Sequence, residues 1–327
     1  MNVIARNLHR VFLIPQVLVL WFWAKKYRPK HLRAFVHDVL LIRRSGLFLS
    51  QHYRGVPPEP GAGFFRELHA ISHFVSTGAQ EGLDPNPLFS IRFYLDAYPD
   101  VGEFGINPLI HYIQHGGKEG RSTHVLFHGA FFQRQLKEDV NPPNTPLADF
   151  LKNGASGDRN PCLLFDRRHY LSQKPDLTDY CGNPLIHYLE DGADSDFDPH
   201  QYFSSTYYRE RYGPEIPDGT NVLEYFLRVG GHKAHHPSPR FDTSYYLEVN
   251  PDTNKAGVIP LVHYLQFGIL ERRFATDRYF DWLELQRSKE PSENEYKLFI
   301  EQLRYQPRFS VIVPVFNTDA VSYTHLR

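Results

Sequence analysis

The chain has 327 residues, enough for about two domains of ordinary size. Its balance of apolar and charged residues is that of a globular protein, with aromatics at 15 %. Cys162 and Cys181 cannot build a disulfide framework, neither stands in a CxxC pair, and both suit a reducing compartment. The net charge of −1 is unevenly placed: residues 1–60 hold ten Lys/Arg against Asp38 and Glu59, a net +8, and the remainder holds 26 against 35, a net −9.

The first segment, residues 1–47, is basic and partly apolar. Val11–Ala24, VFLIPQVLVLWFWA, is one apolar run with Pro15 and Gln16 inside it. A spanning helix needs about 20 residues, so the run is too short to cross a bilayer. Arg6 and Arg10 precede it as in a signal peptide, but KKYRPK follows where a cleavage site belongs, and cations there oppose translocation. Two readings fit. The run lies on an anionic membrane face, with Trp21 and Trp23 at the headgroups and the Lys/Arg cluster on the phosphates. Or it is the buried first helix of the domain. Nucleic acid is a poorer match for the basic residues, because the apolar run beside them suits a membrane.

Next comes a repeat. The hexapeptide NPLIHY stands at Asn107–Tyr112 and again at Asn183–Tyr188, with IPLVHY at Ile259–Tyr264. Leu109, Leu147, Leu185, Leu223 and Leu261 fall at a constant spacing of 38, and an aromatic three places on and a glycine seven places on keep the same register. Phe89, Phe127, Phe165, Phe203 and Phe241 form a second series at the same spacing, each followed four and five residues later by an aromatic or histidine pair. FLSQHY at Phe48–Tyr53 resembles an earlier unit with a loop three residues longer. Six units follow: 48–88, 89–126, 127–164, 165–202, 203–240 and 241–279.

Each unit reads as two short helices. The first follows the Phe, with Asp166 and Asp242 as N-caps that accept from free backbone N–H groups. In two units it ends at a Pro-Asp turn, YPDV at Tyr98–Val101 and NPDT at Asn250–Thr253, because Pro cannot continue a helix. The hexapeptide opens the second helix. Asn107 caps it, Pro108 takes the first position, and Leu109, Tyr112 and Ile113 share a face. Gly116 is expected to end it in the left-handed conformation. Helices this short cannot bury their own apolar faces, so stacking of neighbouring units in a quasi-one-dimensional array is expected.

His111, His187 and His263 are the obvious metal candidates, with His73 in the first unit. The equivalent place holds Asp149 and Tyr225 elsewhere, and no unit offers a second ligand at metal spacing. A structural role is the expected one. GGKEGR at Gly116–Arg121 is glycine-rich and basic but lacks the phosphate-loop spacing, and it follows a helix. It reads as a cap and surface turn. HKAHHP at His232–Pro237 reads as a solvated loop rather than a metal site. No catalytic constellation with signature spacing is visible in the units.

After Arg273 the register fades. Ser292–Tyr305 reads as one amphipathic helix within a linker, 280–306, with Ser292 and Glu295 as a capping box and Tyr296, Phe299, Ile300 and Leu303 on one face. Phe309–Val315 is a short β-branched run of the kind that forms a buried parallel strand, and Pro314 turns the chain at its end. Such a strand, followed by Asn, Thr and Asp, is how a nucleotide-binding α/β domain opens.

The stretch RFSVIVPVFNT resembles the first strand and loop of the family 2 glycosyltransferases, whose GT-A domain commonly begins S-V-I-I-P-V-Y-N. Ile312, Pro314, Val315 and Asn317 match, Val313 replaces an Ile, and Phe316 replaces a Tyr. The upstream units, with their YYL…NPDV…NPLxHYLxxG…EGR pattern, resemble helical repeats found ahead of transferase domains in bacterial surface-polysaccharide enzymes. Similar units occur in some secreted calcium-binding proteins. The resemblance implies that Pro314, Val315, Phe316 and Asn317 contact a nucleotide-sugar donor. It also implies a later D-x-D pair holding Mg²⁺ or Mn²⁺ and a further acidic base, at positions this chain does not contain. AVSYTHLR, Ala320–Arg327, resembles translated sequencing-adapter read-through, so 320–327 is expected to be a non-native tail on a truncated chain.

The sequence-based expectation is therefore a mainly α protein: tandem two-helix repeats, a linker helix, and the opening β-strand, 307–319, of a truncated GT-A-like domain. Its expected function is as the N-terminal part of a glycosyltransferase, moving sugar from a nucleotide donor to a surface-polysaccharide or lipid-linked acceptor. The repeats would position the enzyme at the cytoplasmic face of the membrane. This portion lacks catalytic residues. The alternative is a non-enzymatic repeat scaffold.

Overall fold

The computed structural model describes residues 31–56, 63–136, 145–154, 158–173 and 182–277. The chain divides into two compact units, Met1–Thr276 and Asp277–Arg327, and the fold below is that of the first. The apolar run of the N-terminal segment, the linker helix at 280–306, the strand at 307–319 and the tail at 320–327 lie outside the described residues. The described body is mainly α-helical. No helix of the described residues is long and apolar enough to cross a membrane. Extended pairing among them is confined to four isolated bridges, Asn86–Phe89, His124–Phe127, His200–Phe203 and Ser238–Phe241.

Short helices begin two places after each Phe of the series: Ile91–Ala97, Gly129–Gln133, Arg167–Ser172, Ser205–Tyr212 and Thr243–Val249. The residue between is the N-cap in every case: Ser90, His128, Asp166, Ser204 and Asp242 each accept a first-turn N–H with their side chain. Serine, aspartate and a neutral histidine nitrogen all satisfy that donor. Burial lowers the His128 pKa, which keeps its Nδ1 free to accept. Each cap's own N–H donates to a carbonyl at one fixed interval onward, Ser90 to Thr123, His128 to Pro161, Asp166 to Pro199, Ser204 to Pro237 and Asp242 to Ala275, at 2.8–3.1 Å. Each segment is thus closed by a backbone bond between its beginning and its end.

The Pro-Asp motifs do more than stop a helix. Tyr98 and Asn250 leave the helical region (φ −134° and −128°), and Pro99–Glu103 and Pro251–Ala256 form new short helices. Proline is barred from a helix interior but favoured at its first turn, where its N–H is not needed. Two of the segments therefore carry three helices, not the two read from sequence.

The hexapeptides open helices at Pro108–His111 and Pro184–His187. Asn107 Oδ1 accepts from Leu109 and Ile110, and Asn183 Oδ1 from Leu185 and Ile186. Each helix then widens into one π turn, Tyr112–Gly116 and Tyr188–Gly192; the same turn occurs at Phe74–Gly78, Phe226–Gly230 and Tyr264–Gly268. The left-handed cap expected at Gly116 is not there. Left-handed residues come four places later, at Gly82, Gly120, Asp196, Ala234 and Arg272, with φ between 56° and 75°. What Gly116 supplies is space. A Cβ there would overlap the Tyr94 hydroxyl, and the same holds at Gly78 with Tyr53, Gly192 with Tyr170 and Gly230 with Tyr208. Only a residue without a side chain lets the phenol oxygen rest on the helix backbone.

The core is a file of three-ring clusters. Phe89, Tyr94 and Tyr112 have centroids 5.2–6.1 Å apart, and Phe165, Tyr170 and Tyr188 repeat this at 5.2–5.8 Å. Phe203, Tyr208 and Phe226 follow at 5.3–5.6 Å, then Phe241, Tyr246 and Tyr264 at 5.2–5.7 Å. Tilted and edge-on pairs of this kind add about 0.5–1.5 kcal/mol beyond their area. The leucines at 109, 147, 185, 223 and 261 are buried beside them.

Candidate functional site

The histidines that looked chemical are held in one repeated arrangement. Tyr94 Oη and His111 Nδ1 are 3.0 Å apart, Tyr170 and His187 2.6 Å, Tyr246 and His263 2.9 Å, and Tyr53 and His73 2.7 Å. In the first three pairs the tyrosine comes from the first helix and the histidine from the second, so the bond ties the two; Tyr53 reaches His73 from a loop. Burial raises the Tyr94 pKa and lowers that of His111, so a protonated phenol meets a neutral imidazole. A phenol O–H donating to a neutral ring nitrogen is a stable structural bond, and it takes up a nitrogen that could otherwise ligate a metal.

Where the sequence departs from this pair, the structure replaces it with other chemistry. In the segment opening at Phe127, Phe132 stands for the tyrosine and Asp149 for the histidine. Arg159 bridges the gap, 2.9 Å from Asp149 and over the Phe132 ring at 5.3 Å. In the segment opening at Phe203, Tyr225 takes the histidine's place. His235, from the following loop, bonds Tyr208 at 2.9 Å and stacks on Tyr212 at 3.8 Å. His235 is the central histidine of HKAHHP, so that motif is partly built into the core rather than a solvated loop. His236 Nδ1 accepts from Thr243 at the start of the next helix.

In GGKEGR the arginine is taken up by neighbours in its own segment. Arg121 forks onto Asp100 at 2.8 and 3.1 Å, bonds Glu119 at 2.6 Å, and lies over Tyr98. The bonds to Arg121 hold the Asp100 carboxyl below its usual range. Arg273 does the same with Asp252, whose carboxyl is drawn down to about 2 by the bonds to Arg273. Each arginine pins the Pro-Asp helix of its own segment.

One group of ionisable residues, gathered at the buried His124, was not singled out by sequence. His124 Nε2 lies 2.9 Å from Oε1 of Glu224, far along the chain, with both side chains largely buried. Asp84 feels the charges of His124, Glu224 and Arg228. Burial raises the Asp84 pKa, against the opposing bond from the Ile91 N–H. At Glu224, burial also pushes upward, but the bond to His124 and the charges of His124 and Arg228 outweigh it, so the carboxyl sits below its usual value. One sequence signal was available for part of this. Asp84, Ser122, Asn160, Asp198 and His236 recur at the repeat spacing, and each accepts the N–H of the residue following the next N-cap. The pairing of His124 with Glu224 has no local signature.

Pro314, Val315, Phe316 and Asn317, the expected donor-binding residues, lie outside the described residues. No group of three or more His, Cys, Asp or Glu among the described residues is placed to hold a metal ion; the D-x-D pair that the resemblance implies falls at positions outside them. Cys162 is buried, and burial pushes its thiol up to about 12, so it is no thiolate nucleophile. No protein-family model, curated protein or solved structure shows significant similarity to the chain.

Proposed function

We propose that residues 48–279 are six tandem helical units acting as a positioning and interaction module. The observation that carries this reading is the recurrence of one construction in a single register: a three-ring core, an N-cap tied at a fixed interval onward, and a Tyr–His or substitute bond. The Tyr–His pairs and the arginines Arg121, Arg159 and Arg273 are engaged in holding their own units together. A chain cut at a unit boundary, residues 1–240, tests it. The expected result is a folded protein whose helical circular dichroism falls in proportion to the residues removed. Complete loss of helix would count against independent units.

The module serves, in this reading, a glycosyltransferase that transfers sugar from a nucleotide-sugar donor to a surface-polysaccharide or lipid-linked acceptor. What supports this is the resemblance of 308–318 to the opening strand of the family 2 enzymes. Pro314–Asn317 would contact the donor, and a divalent metal held beyond this chain would neutralise the departing diphosphate. The basic, apolar residues 1–60 would hold the module at the inner membrane face. Residues 1–327 are expected to transfer no sugar, and measurable transfer by them would overturn this division of labour. A non-enzymatic scaffold is the second reading, favoured by the engagement of the described histidines and arginines in packing. A D-x-D pair encoded downstream of Pro314 distinguishes the two.

A further inference from the structure

Residues far apart in the chain meet at corresponding places. His52, four residues after Phe48, lies 3.1 Å from Glu190, two after Tyr188. Phe93, four after Phe89, faces Arg228, two after Phe226, with the guanidinium carbon 6.0 Å from the ring centroid. The first pair joins the segment opening at Phe48 to that opening at Phe165. The second joins the segment opening at Phe89 to that opening at Phe203. Both contacts span three units and use the same two positions. Beside the second lies the buried His124–Glu224 bond at 2.9 Å, with Asp84 and Arg228 close enough to feel its charges. Stacking of nearest neighbours alone, as in a simple one-dimensional array, makes no such contacts.

We propose that these contacts form a polar clasp that locks each of the first two units to the unit three places on, so that the two ends of the clasp open and close together. The proposal rests on the unit reading above. Its physical content is a shared dependence. Glu224 and Arg228 lie on one helix and π turn, one turn apart, and they meet three groups from the earlier units: Asp84, Phe93 and His124. The charge of Arg228 acts on both carboxylates, and His124 bonds that of Glu224. Moving the 222–230 segment away would leave the buried His124 facing water, and moving residues 84–93 would take Asp84 and Phe93 away from Arg228. Coupling of this sort is reciprocal by linkage.

Hydrogen exchange on the full chain, read by mass spectrometry and NMR, tests it. Glu224→Gln is expected to speed exchange about tenfold at Leu126 and Phe127, whose N–H groups bond the His124 ring and carbonyl. Arg228→Met is expected to do the same at Ile91, whose N–H is held by Asp84. His124→Asn keeps the turn bond, as Asn86 does at the corresponding place, and is expected to speed exchange in 222–230 by the same factor as Glu224→Gln does at its partner. Unchanged exchange at 84–93 and 124–127 in the first two variants, with effects confined to 222–230, would overturn the clasp. Should Glu224→Gln melt its own helix, Glu190→Ala reads the other contact. Glu190 is half-exposed, so its removal leaves the local fold intact. About tenfold faster exchange at His52 and Tyr53 supports the clasp, and no change overturns it. Failure of the unit reading shows separately, in the truncated chain.

Discussion

The glycine at the end of each π turn offers the sharpest test of the packing argument. A Cβ at Gly192 would overlap the Tyr170 hydroxyl, and would sit 3.1 Å from its Cζ and 3.4 Å from His187 Nδ1. The ring cannot retreat, because it is buried between Phe165, Tyr188 and Phe197. Gly192→Ala therefore forces the phenol off its site. Overpacking costs about 2 kcal/mol, and loss of the Tyr170–His187 bond about 1 kcal/mol. Replacing glycine in a helical turn returns up to about 1 kcal/mol. The expected net loss is about 2 kcal/mol. Tyr170→Phe alone removes the bond and costs about 1 kcal/mol. The double variant has no oxygen to displace, so it should be little worse than Tyr170→Phe, a coupling of about 2 kcal/mol between the two sites. Urea unfolding followed at 222 nm measures all three, with Gly102→Ala as control, since a Cβ there meets only Leu95 at 3.7 Å. If the single losses simply add in the double variant, the hydroxyl is not what excludes a side chain, and the reasoning fails.

Other outcomes follow from the same structure. Burial holds His200 neutral, its pKa pushed down to about 4. A histidine depressed in the fold and near 6.5 when unfolded contributes stability that is full above pH 6.5 and is lost as pH falls toward 4, at about 1.4 kcal/mol per unit. His200→Asn keeps an acceptor for the Tyr202 N–H, as Asn86 does for Leu88. Acid titration of stability should then be shallower than in the parent by up to about 3 kcal/mol at pH 4; equal slopes would contradict it. Ala234 sits at φ 57°, where the corresponding residues are Gly82 and Gly120; Ala234→Gly is expected to raise stability by about 1 kcal/mol, measured by thermal unfolding. Deleting residues 1–30, which leaves the buried Phe35–Tyr53 stretch in place, should abolish co-sedimentation with vesicles of anionic lipid, and undiminished binding would exclude that stretch as the anchor.

The spacing of 38, the helix starts and the core rings were legible in the sequence because each is a local rule. Asn107 and Asn183 cap through N–H groups two and three residues on, and a Phe or Leu that recurs on one face must be buried somewhere. The structural role of His111, His187 and His263 could be read from the absence of a metal pattern, though not their partners. Two readings went astray at points where local rules compete. Glycine at a helix end suggests a left-handed cap, but Gly116 is glycine because Tyr94 lies over it, and the left-handed place falls at Gly120, Asp196, Ala234 and Arg272 instead. The Pro-Asp motif suggests a turn, but its proline starts a helix that Arg121 or Arg273 then holds.

Sequence by itself thus determined the period, the element starts and the apolar file, since these depend on backbone geometry and on residues within a turn or two. Tertiary structure alone decided why the glycines are glycines, how Arg159 and His235 stand in for a missing Tyr–His pair, and that Glu190, Glu224 and Arg228 return to His52, His124 and Phe93. Those are contacts that no local rule signals, and only the packing of side chains in three dimensions selects them.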